Sequence, residues 1–163
     1  MKKILAVILA LFTLTVTACS SGLAPQEYAD QLTAIEEEYQ YQTSSMTYLV
    51  HVALSGGTTP DYSTVPEIAD KMESCLSEAE KLDPPAKYRD LHNEMCASME
   101  LERGWINVLR RMETEGFSEE LNDQLNEYAD RDFNNKCLDI LAGLQNDGMN
   151  IPSETIKGLI VTW

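Results

Sequence analysis

Three cysteines are the residues of this chain whose type and spacing could support chemistry. The midpoint between Cys75 and Cys96 falls directly after Pro85, at the turn that Pro84 and Pro85 predict. The midpoint between Cys96 and Cys137 falls at Gly116-Phe117. Prolines and glycines end helices, and residues equally distant from the turn of an antiparallel helical hairpin lie at the same height. The spacing therefore predicts that the three thiols share one layer, with Cys96 on the middle helix.

Three interpretations of this layer are open. Cys75 and Cys96 could form a disulfide across the hairpin, and closing a loop of about 20 residues would stabilise the fold by roughly 3 kcal/mol. All three cysteines could instead be reduced and buried as small apolar residues. The third interpretation is a soft-metal or thiol-redox site for Cu(I) or Zn, formed by Cys75, Cys96, Cys137 and His92. No CxxC spacing supports that site.

Other polar clusters predict structure rather than catalysis. The acidic sets Glu36-Glu37-Glu38 and Glu73, Glu78 and Glu80 are expected on outward, solvated faces. No spacing of Ser, His and an acid indicates a nucleophile, so we expect a protein that is not an enzyme and needs no cofactor beyond a covalent lipid. Tyrosines of the first helix could line a ligand surface together with a methionine, although partly buried tyrosines are common in cores. These residues are Tyr39, Tyr41, Tyr48 and Met46.

The first nineteen residues differ from the rest of the chain. Lys2 and Lys3 precede a nearly continuous apolar run over 4–16, which ends in Thr17-Ala18-Cys19. A positive start, a short apolar run and small residues at its end are typical of a secretory signal peptide. The run is shorter than the roughly 20 apolar residues of a membrane-spanning helix. We therefore expect residues 1–18 to be cleaved.

The segment Val16-Thr17-Ala18-Cys19 resembles the lipobox of bacterial lipoproteins. This resemblance implies that Cys19 receives a covalent lipid (a diacylglycerol with fatty acids such as palmitate), that cleavage occurs immediately before it, and that the chain stays anchored outside a bacterial cytoplasmic membrane. It divides the chain into a signal peptide over 1–18, a lipidated cysteine and spacer over 19–24, and a domain over 25–163.

The charge of the chain restricts its partners. It has 163 residues with 12 Lys and Arg against 27 Asp and Glu, and its formal net charge is -15. Loss of Lys2 and Lys3 with the signal peptide would make the net charge -17. Such a surface repels nucleic-acid phosphates and anionic headgroups, so nucleic acid is excluded and the membrane contact is expected through the lipid alone.

The domain is predicted to be all-α. Apolar residues recur three or four positions apart in four segments, which is the pattern of amphipathic helices: 28–53, 65–82, 86–115 and 118–144. Thr64 and Glu67 predict a capping box for the second segment, and Ser118 predicts an N-cap for the fourth. Mostly short connections then favour an antiparallel up-down bundle of about four helices. Residues 156–163 are apolar enough to pack on it as a final turn or an extended segment.

The segment 82–92, with two prolines followed by Tyr88 and then Leu91-His92, resembles a hairpin of small bacterial helical lipoproteins. That resemblance implies a helical extracytoplasmic lipoprotein and carries no activity. The sequence therefore favours a non-catalytic module that binds an envelope protein or a wall component, and an exposed apolar patch beside the tyrosine-rich first helix would support it. The alternative is the metal-handling or thiol-redox lipoprotein based on the cysteine layer.

Overall fold

The computed structural model describes residues 22–56, 59–153 and 155. Over these residues the chain is helical and contains no strand. Five helices have eight residues or more: α1 (Pro25–Leu54), α2 (Val65–Ala79), α3 (Arg89–Arg110), α4 (Glu119–Asn126) and α5 (Phe133–Asn146). One turn of α-helix, Met112–Glu115, follows α3, and 3-10 turns at Tyr62–Thr64 and Ala86–Tyr88 precede α2 and α3. None of the helices in this part of the chain is long and apolar enough to cross a membrane.

The predicted signal peptide, Cys19 with its lipid, and the segment 156–163 lie outside the described residues. The first described residues pack on the turn between α2 and α3. The Leu23 N–H donates to the Asp83 carbonyl at 2.7 Å. Gly22 has a φ of 127°, and a Cβ on it would lie 2.4 Å from the Pro84 carbonyl oxygen. The backbone thus requires glycine there, and the chain enters the domain at the proline turn.

Helix α1 is the longest element. Pro25 occupies its first position, where the missing N–H costs nothing. Its buried face repeats every three or four residues through Tyr28, Leu32, Ile35 and Tyr39. These side chains bind α1 to the rest of the domain, since burying a large apolar side chain contributes roughly 1.5–3 kcal/mol.

The predicted capping box at the start of α2 is wrong. Thr64 is in the helical region of φ and ψ, and its side chain makes no capping hydrogen bond. The 3-10 turn before α2 is capped by Asp61, whose carboxylate accepts from the Ser63 N–H at 3.0 Å. Glu67 pairs with Lys71 at 3.0 Å instead. The chain is already helical at residue 64, so its side chain cannot act as the cap.

The predicted fourth helix is two helices. The N-cap at Ser118 is confirmed, because its hydroxyl accepts from the Leu121 N–H at 3.1 Å. Helix α4 then ends at Asn126, and α5 begins only at Phe133. The Phe133 N–H donates to a carboxylate oxygen of Glu102 on α3 at 3.3 Å. Over the described residues the chain therefore has five helices of eight residues or more instead of about four, because the non-helical residues 127–132 separate α4 from α5 and place this amide against a buried acid.

The helices pack as a closed ring around the core. Helix α1 contacts α2 and α5, and α3 contacts the same two helices. Helix α4 packs on α3. On the outside of the ring, Arg103 of α3 donates to Glu73 of α2 and to Glu80, which directly follows α2, at 2.8 Å each. At the end where the chain enters, the Tyr88 hydroxyl donates to Asp147 at 2.6 Å. The proline turn and the end of α5 are thus held together.

Candidate functional site

The three cysteines lie on three different helices and are free thiols. Cys137 on α5 is fully buried, and its Sγ lies 3.3 Å from the sulfur of Met95 on α3. Cys96 on α3 is half-buried, and its Sγ lies 3.5 Å from Nε2 of His92. Cys75 on α2 is buried. The proposed disulfide between Cys75 and Cys96 stays a prediction.

His92, the fourth residue of the predicted metal set, is buried on α3. Its Nδ1 lies 3.0 Å from the hydroxyl of Tyr28 on α1, and its Nε2 faces Cys96. Both ring nitrogens thus have a protein neighbour. Among the described residues, no group of three or more His, Cys, Asp or Glu side chains is arranged to hold a metal ion.

Burial makes all three thiols weak acids. It raises the pKa of Cys75 to about 11, and nearby Glu38 and Glu78 add to the shift. It also raises the pKa of Cys96, and it raises that of Cys137 well above the usual value of a thiol. The thiolate is the nucleophile and the metal ligand. At these raised pKa values the thiols are protonated at neutral pH, which favours the interpretation of all three as reduced cysteines packed in or beside the core.

Only two of the four residues that could line a tyrosine-rich ligand surface are exposed. Tyr39 and Met46 are buried, as is common for such residues on an amphipathic helix, so they do not belong to the exposed surface of α1. Tyr41 and Tyr48 are each 67% exposed on the outer side of α1. They flank a hollow of about 560 Å³ between α1 and α2, which also contains Leu49 and Ile68.

A second hollow of about 350 Å³ continues along the same two helices. Ala34 and Ile35 line it from α1, and Lys71 and Cys75 line it from α2. Lys71 also lines the first hollow. We call the two hollows together the aromatic groove. Its walls combine aromatic, aliphatic and carboxylate side chains.

A buried carboxylate forms a second feature, which the sequence analysis did not identify. Glu102 on α3 is only 2% exposed. Its Oε2 accepts from the Tyr39 hydroxyl at 2.5 Å, and its Oε1 accepts from the Phe133 N–H at 3.3 Å. The Nε of Arg131 lies 3.6 Å from Oε2. Burial raises the pKa of Glu102, although these three donors oppose the shift.

A polar cavity of about 250 Å³ opens beside this carboxylate. Tyr39, Thr43 and Thr47 line it from α1, and Arg131 and Asn134 line the opposite side. The guanidinium carbon of Arg131 lies 4.0 Å from the ring centre of Trp105. Such stacking fixes the guanidinium by a cation–π contact. We call this feature the Glu102 cavity.

Glu36 contradicts the prediction that the cluster 36–38 is solvated. Glu37 and Glu38 are exposed, but Glu36 is 1% exposed and neither of its carboxyl oxygens has a hydrogen-bond partner. Burial raises its pKa to about 8, with a further contribution from Glu37. Its charge would also raise the pKa of Cys137. An unpartnered buried carboxyl is costly when ionised, so Glu36 is protonated at neutral pH.

The sequence contained a signal for both buried acids. Glu36 follows the buried Leu32 by four positions and precedes Tyr39 by three. Glu102 follows the buried Met99 by three positions and precedes Ile106 by four. Both acids therefore fall on the apolar stripe of their helices. An acid on such a stripe is buried, and it is a candidate for a special role because buried charge is rare.

No protein-family model, curated protein or solved structure matches this chain.

Proposed function

We propose that this chain is a lipid-anchored extracytoplasmic protein that binds a segment of another envelope protein in the aromatic groove and carries out no catalysis. Its domain is an antiparallel up-down helical bundle, and a lipid on Cys19 holds it at a bacterial membrane. The observation that carries the proposal is the exposure of Tyr41 and Tyr48 beside the apolar groove between α1 and α2.

Exposed aromatic residues at a groove favour protein binding. Tyrosines present a large amphipathic surface at a low cost in side-chain entropy, and they are enriched in interfaces. Leu49 and Ile68 provide apolar contacts between the tyrosines. A helix with apolar residues at positions i, i+3, i+4 and i+7 fits such a groove between two helices.

The charge of the groove selects the partner. Its lining includes the carboxylates Glu38, Glu67 and Glu78. Lys71 is the single cation in that lining, and it already pairs with Glu67 at 3.0 Å. Together with the net charge of -15, this lining attracts a segment that carries lysine or arginine beside its apolar residues.

The position of the groove suits a tethered protein. The chain enters the domain at Gly22, against Pro84. Tyr41 and Tyr48 lie 16 and 23 residues beyond Pro25, where α1 begins, which is roughly 24 to 35 Å along the helix at the rise of an α-helix. Electrostatic repulsion from anionic lipids extends only about 8 Å at physiological salt. The groove would thus be accessible to a partner while the anchor end faces the membrane.

The groove is tested with a synthetic probe. A fluorescent helical peptide of about 12 residues, with leucines on one face and lysines on the other, is titrated against the full chain in detergent by anisotropy. We expect Tyr48→Ser and Ile68→Ser to weaken binding about tenfold or more, because each removes a central contact. Leu101→Ser is the matched control, since Leu101 is a 40% exposed leucine on α3 and outside the groove.

Three results would contradict this proposal: equal weakening by the control variant, equal binding of a peptide with glutamates in place of lysines, or no binding of the lysine peptide. Sedimentation of the chain alone tests a competing occupant. Self-association that Tyr48→Ser abolishes would assign the groove to a second copy of this chain and would overturn the assignment to an envelope partner.

The lipid anchor has a separate test. Cys19→Ala should abolish incorporation of labelled palmitate and release the protein from the membrane fraction. Cys96→Ala is the control that keeps the lipidation site, and it should remain labelled and membrane-bound. A Cys19→Ala protein that still incorporates palmitate would refute the lipobox assignment.

A further inference from the structure

We propose that the Glu102 cavity binds a zwitterionic small molecule of amino-acid size, with its carboxylate on Arg131 and its ammonium group facing Glu102. This site is distinct from the aromatic groove and does not depend on the proposed function. Its volume of about 250 Å³ is below the range of roughly 300–1,000 Å³ typical of pockets for drug-sized ligands, so a small metabolite fits it better than a peptide.

Both charges of the cavity are already held in place. The Tyr39 hydroxyl at 2.5 Å and the Phe133 N–H at 3.3 Å fix the Glu102 carboxylate from two sides. Arg131 is fixed by its Nε, 3.6 Å from Glu102, and by stacking on Trp105. A site whose charged groups are ordered before binding pays less entropy when the ligand arrives.

The same groups retain unused bonding capacity toward the cavity. Among the described residues, the terminal nitrogens of Arg131 have no hydrogen-bond partner, and its side chain is 29% exposed. These two nitrogens form a fork that matches a carboxylate. Oε1 of Glu102 accepts only the long bond from the Phe133 N–H. It can therefore accept a second bond from an ammonium group.

An orphan hydroxyl lies in the wall of the cavity. The Oγ1 atom of Thr43, which lines the cavity, is buried beside the Tyr39 hydroxyl, but that hydroxyl donates to Glu102, and Oγ1 has no hydrogen-bond partner of good geometry. A buried polar group without a partner costs roughly 1–3 kcal/mol. A ligand in the cavity would supply that partner. Asn134, which accepts from Gln40 at 3.4 Å, adds an amide donor on the opposite wall.

The charge balance selects a zwitterion over a singly charged ligand. Glu102 and Arg131 make the cavity neutral, and a ligand with both charges preserves that neutrality. The electrostatic field of a chain with a net charge of -15 opposes the binding of an anion. A cation would meet Arg131 at the cavity wall. A molecule that carries an ammonium and a carboxylate on the same carbon, as an α-amino acid does, avoids both penalties.

The test is calorimetric titration of the full chain in detergent with L-serine and L-glutamine, compared with acetate, ethylammonium and glycerol. We expect at least one amino acid to bind. Acetate and ethylammonium, which carry one charge each, and uncharged glycerol should bind at least tenfold more weakly. The proposal is overturned if neither amino acid binds up to about 10 mM, a concentration that detects millimolar affinities. Equal binding of acetate, ethylammonium or glycerol also overturns it.

Two variants locate the site, and a third controls for charge. Arg131→Gln should weaken binding at least tenfold. Arg131→Gln also leaves Glu102 without its cation. Thr43→Val therefore serves as an independent variant, which removes the orphan hydroxyl and leaves both charges in place. We expect it to weaken binding about fivefold while the unfolding temperature stays equal or rises. Arg110→Gln, which breaks the ion pair with Asp70 on α2, should leave binding unchanged. Unaltered affinity in both Arg131→Gln and Thr43→Val would refute the assignment to this cavity.

Discussion

Glu36 gives the fold a pH dependence that exposed acids do not produce. In the unfolded chain its pKa is near the usual 4.5, and in the folded protein burial raises it to about 8. Between these values the folded state keeps a proton that the unfolded state has released. The contribution of Glu36 to the free energy of unfolding is therefore largest below pH 4.5, decreases as the pH rises toward 8, and is constant above pH 8.

Glu36→Gln should remove that component of the pH dependence. We expect urea unfolding to show that the free energy of unfolding of the native chain falls by several kcal/mol between pH 5 and 8 because of this group. In the variant this free energy should fall clearly less. The lowered pKa of His92, which arises from its burial, acts in the opposite direction near pH 6, so the comparison between variants is the decisive quantity. Glu38→Gln is the exposed control. Identical slopes for both variants would show that Glu36 ionises freely in the folded state.

The burial of the thiols predicts their order of reaction. Cys96 is half-buried, while Cys75 and Cys137 are buried. We expect iodoacetamide at pH 8 to modify Cys96 first and Cys137 last in the folded protein. All three should react once the chain is unfolded without reductant, as read by mass spectrometry. Modification of Cys137 alone would instead show the Cys75–Cys96 disulfide, and a stoichiometric metal lost in Cys96→Ser would favour the metal-handling alternative.

At the scale of single residues, the sequence predicted burial better than it predicted partners. Periodicity placed the cysteines and His92 on the inner faces, because side-chain direction follows position along a helix. It could not show that the Glu102 carboxylate accepts from Tyr39, which is 63 residues away. It also could not show that Glu36 has no partner. Both properties depend on which helices become neighbours.

At the scale of the elements, two similar residues test whether a cap is formed. The Ser118 hydroxyl accepts from the Leu121 N–H, and the Thr64 side chain makes no capping hydrogen bond. Ser118→Ala should therefore lower the free energy of unfolding by about 1 kcal/mol. Thr64→Ala should change it by less than about 0.5 kcal/mol. Urea unfolding of the two variants measures the difference, and an equal loss in both would mean that Thr64 caps α2 after all.

Helix ends at glycine and proline were predictable, whereas the break between α4 and α5 was not predicted. Gly116, with a φ of 69°, ends the turn after α3 as expected. The break had a weaker signal: Tyr128 and Phe133 are five residues apart, while a continuous stripe requires three or four. The stripe was continued across that gap because residues on both sides are apolar. The deciding interaction, the Phe133 N–H with Glu102, joins distant parts of the chain.

At the scale of the whole molecule, composition and periodicity predicted a helical protein, and the structure confirms that class. The packing of α1 and α3 against the same two neighbours follows from contacts that no local pattern encodes. What composition does determine is the overall charge. With 27 acidic and 12 basic residues, the compact state brings like charges closer than the unfolded chain does, and this repulsion destabilises the fold.

Salt should therefore stabilise this protein at neutral pH. Raising the ionic strength from about 0.01 M to 0.1 M shortens the screening length from roughly 30 to 10 Å, which weakens repulsion between distant carboxylates. The exposed ion pairs such as Lys71–Glu67 lose little, because each contributes at most about 1 kcal/mol. We expect the unfolding temperature to rise with NaCl at pH 7. The effect should nearly vanish close to the isoelectric point of about 4.3, where the net charge is small.

A fall in unfolding temperature at pH 7 would mean that local ion pairs outweigh the net charge. The attraction of the aromatic groove for a basic segment would then have to be local as well.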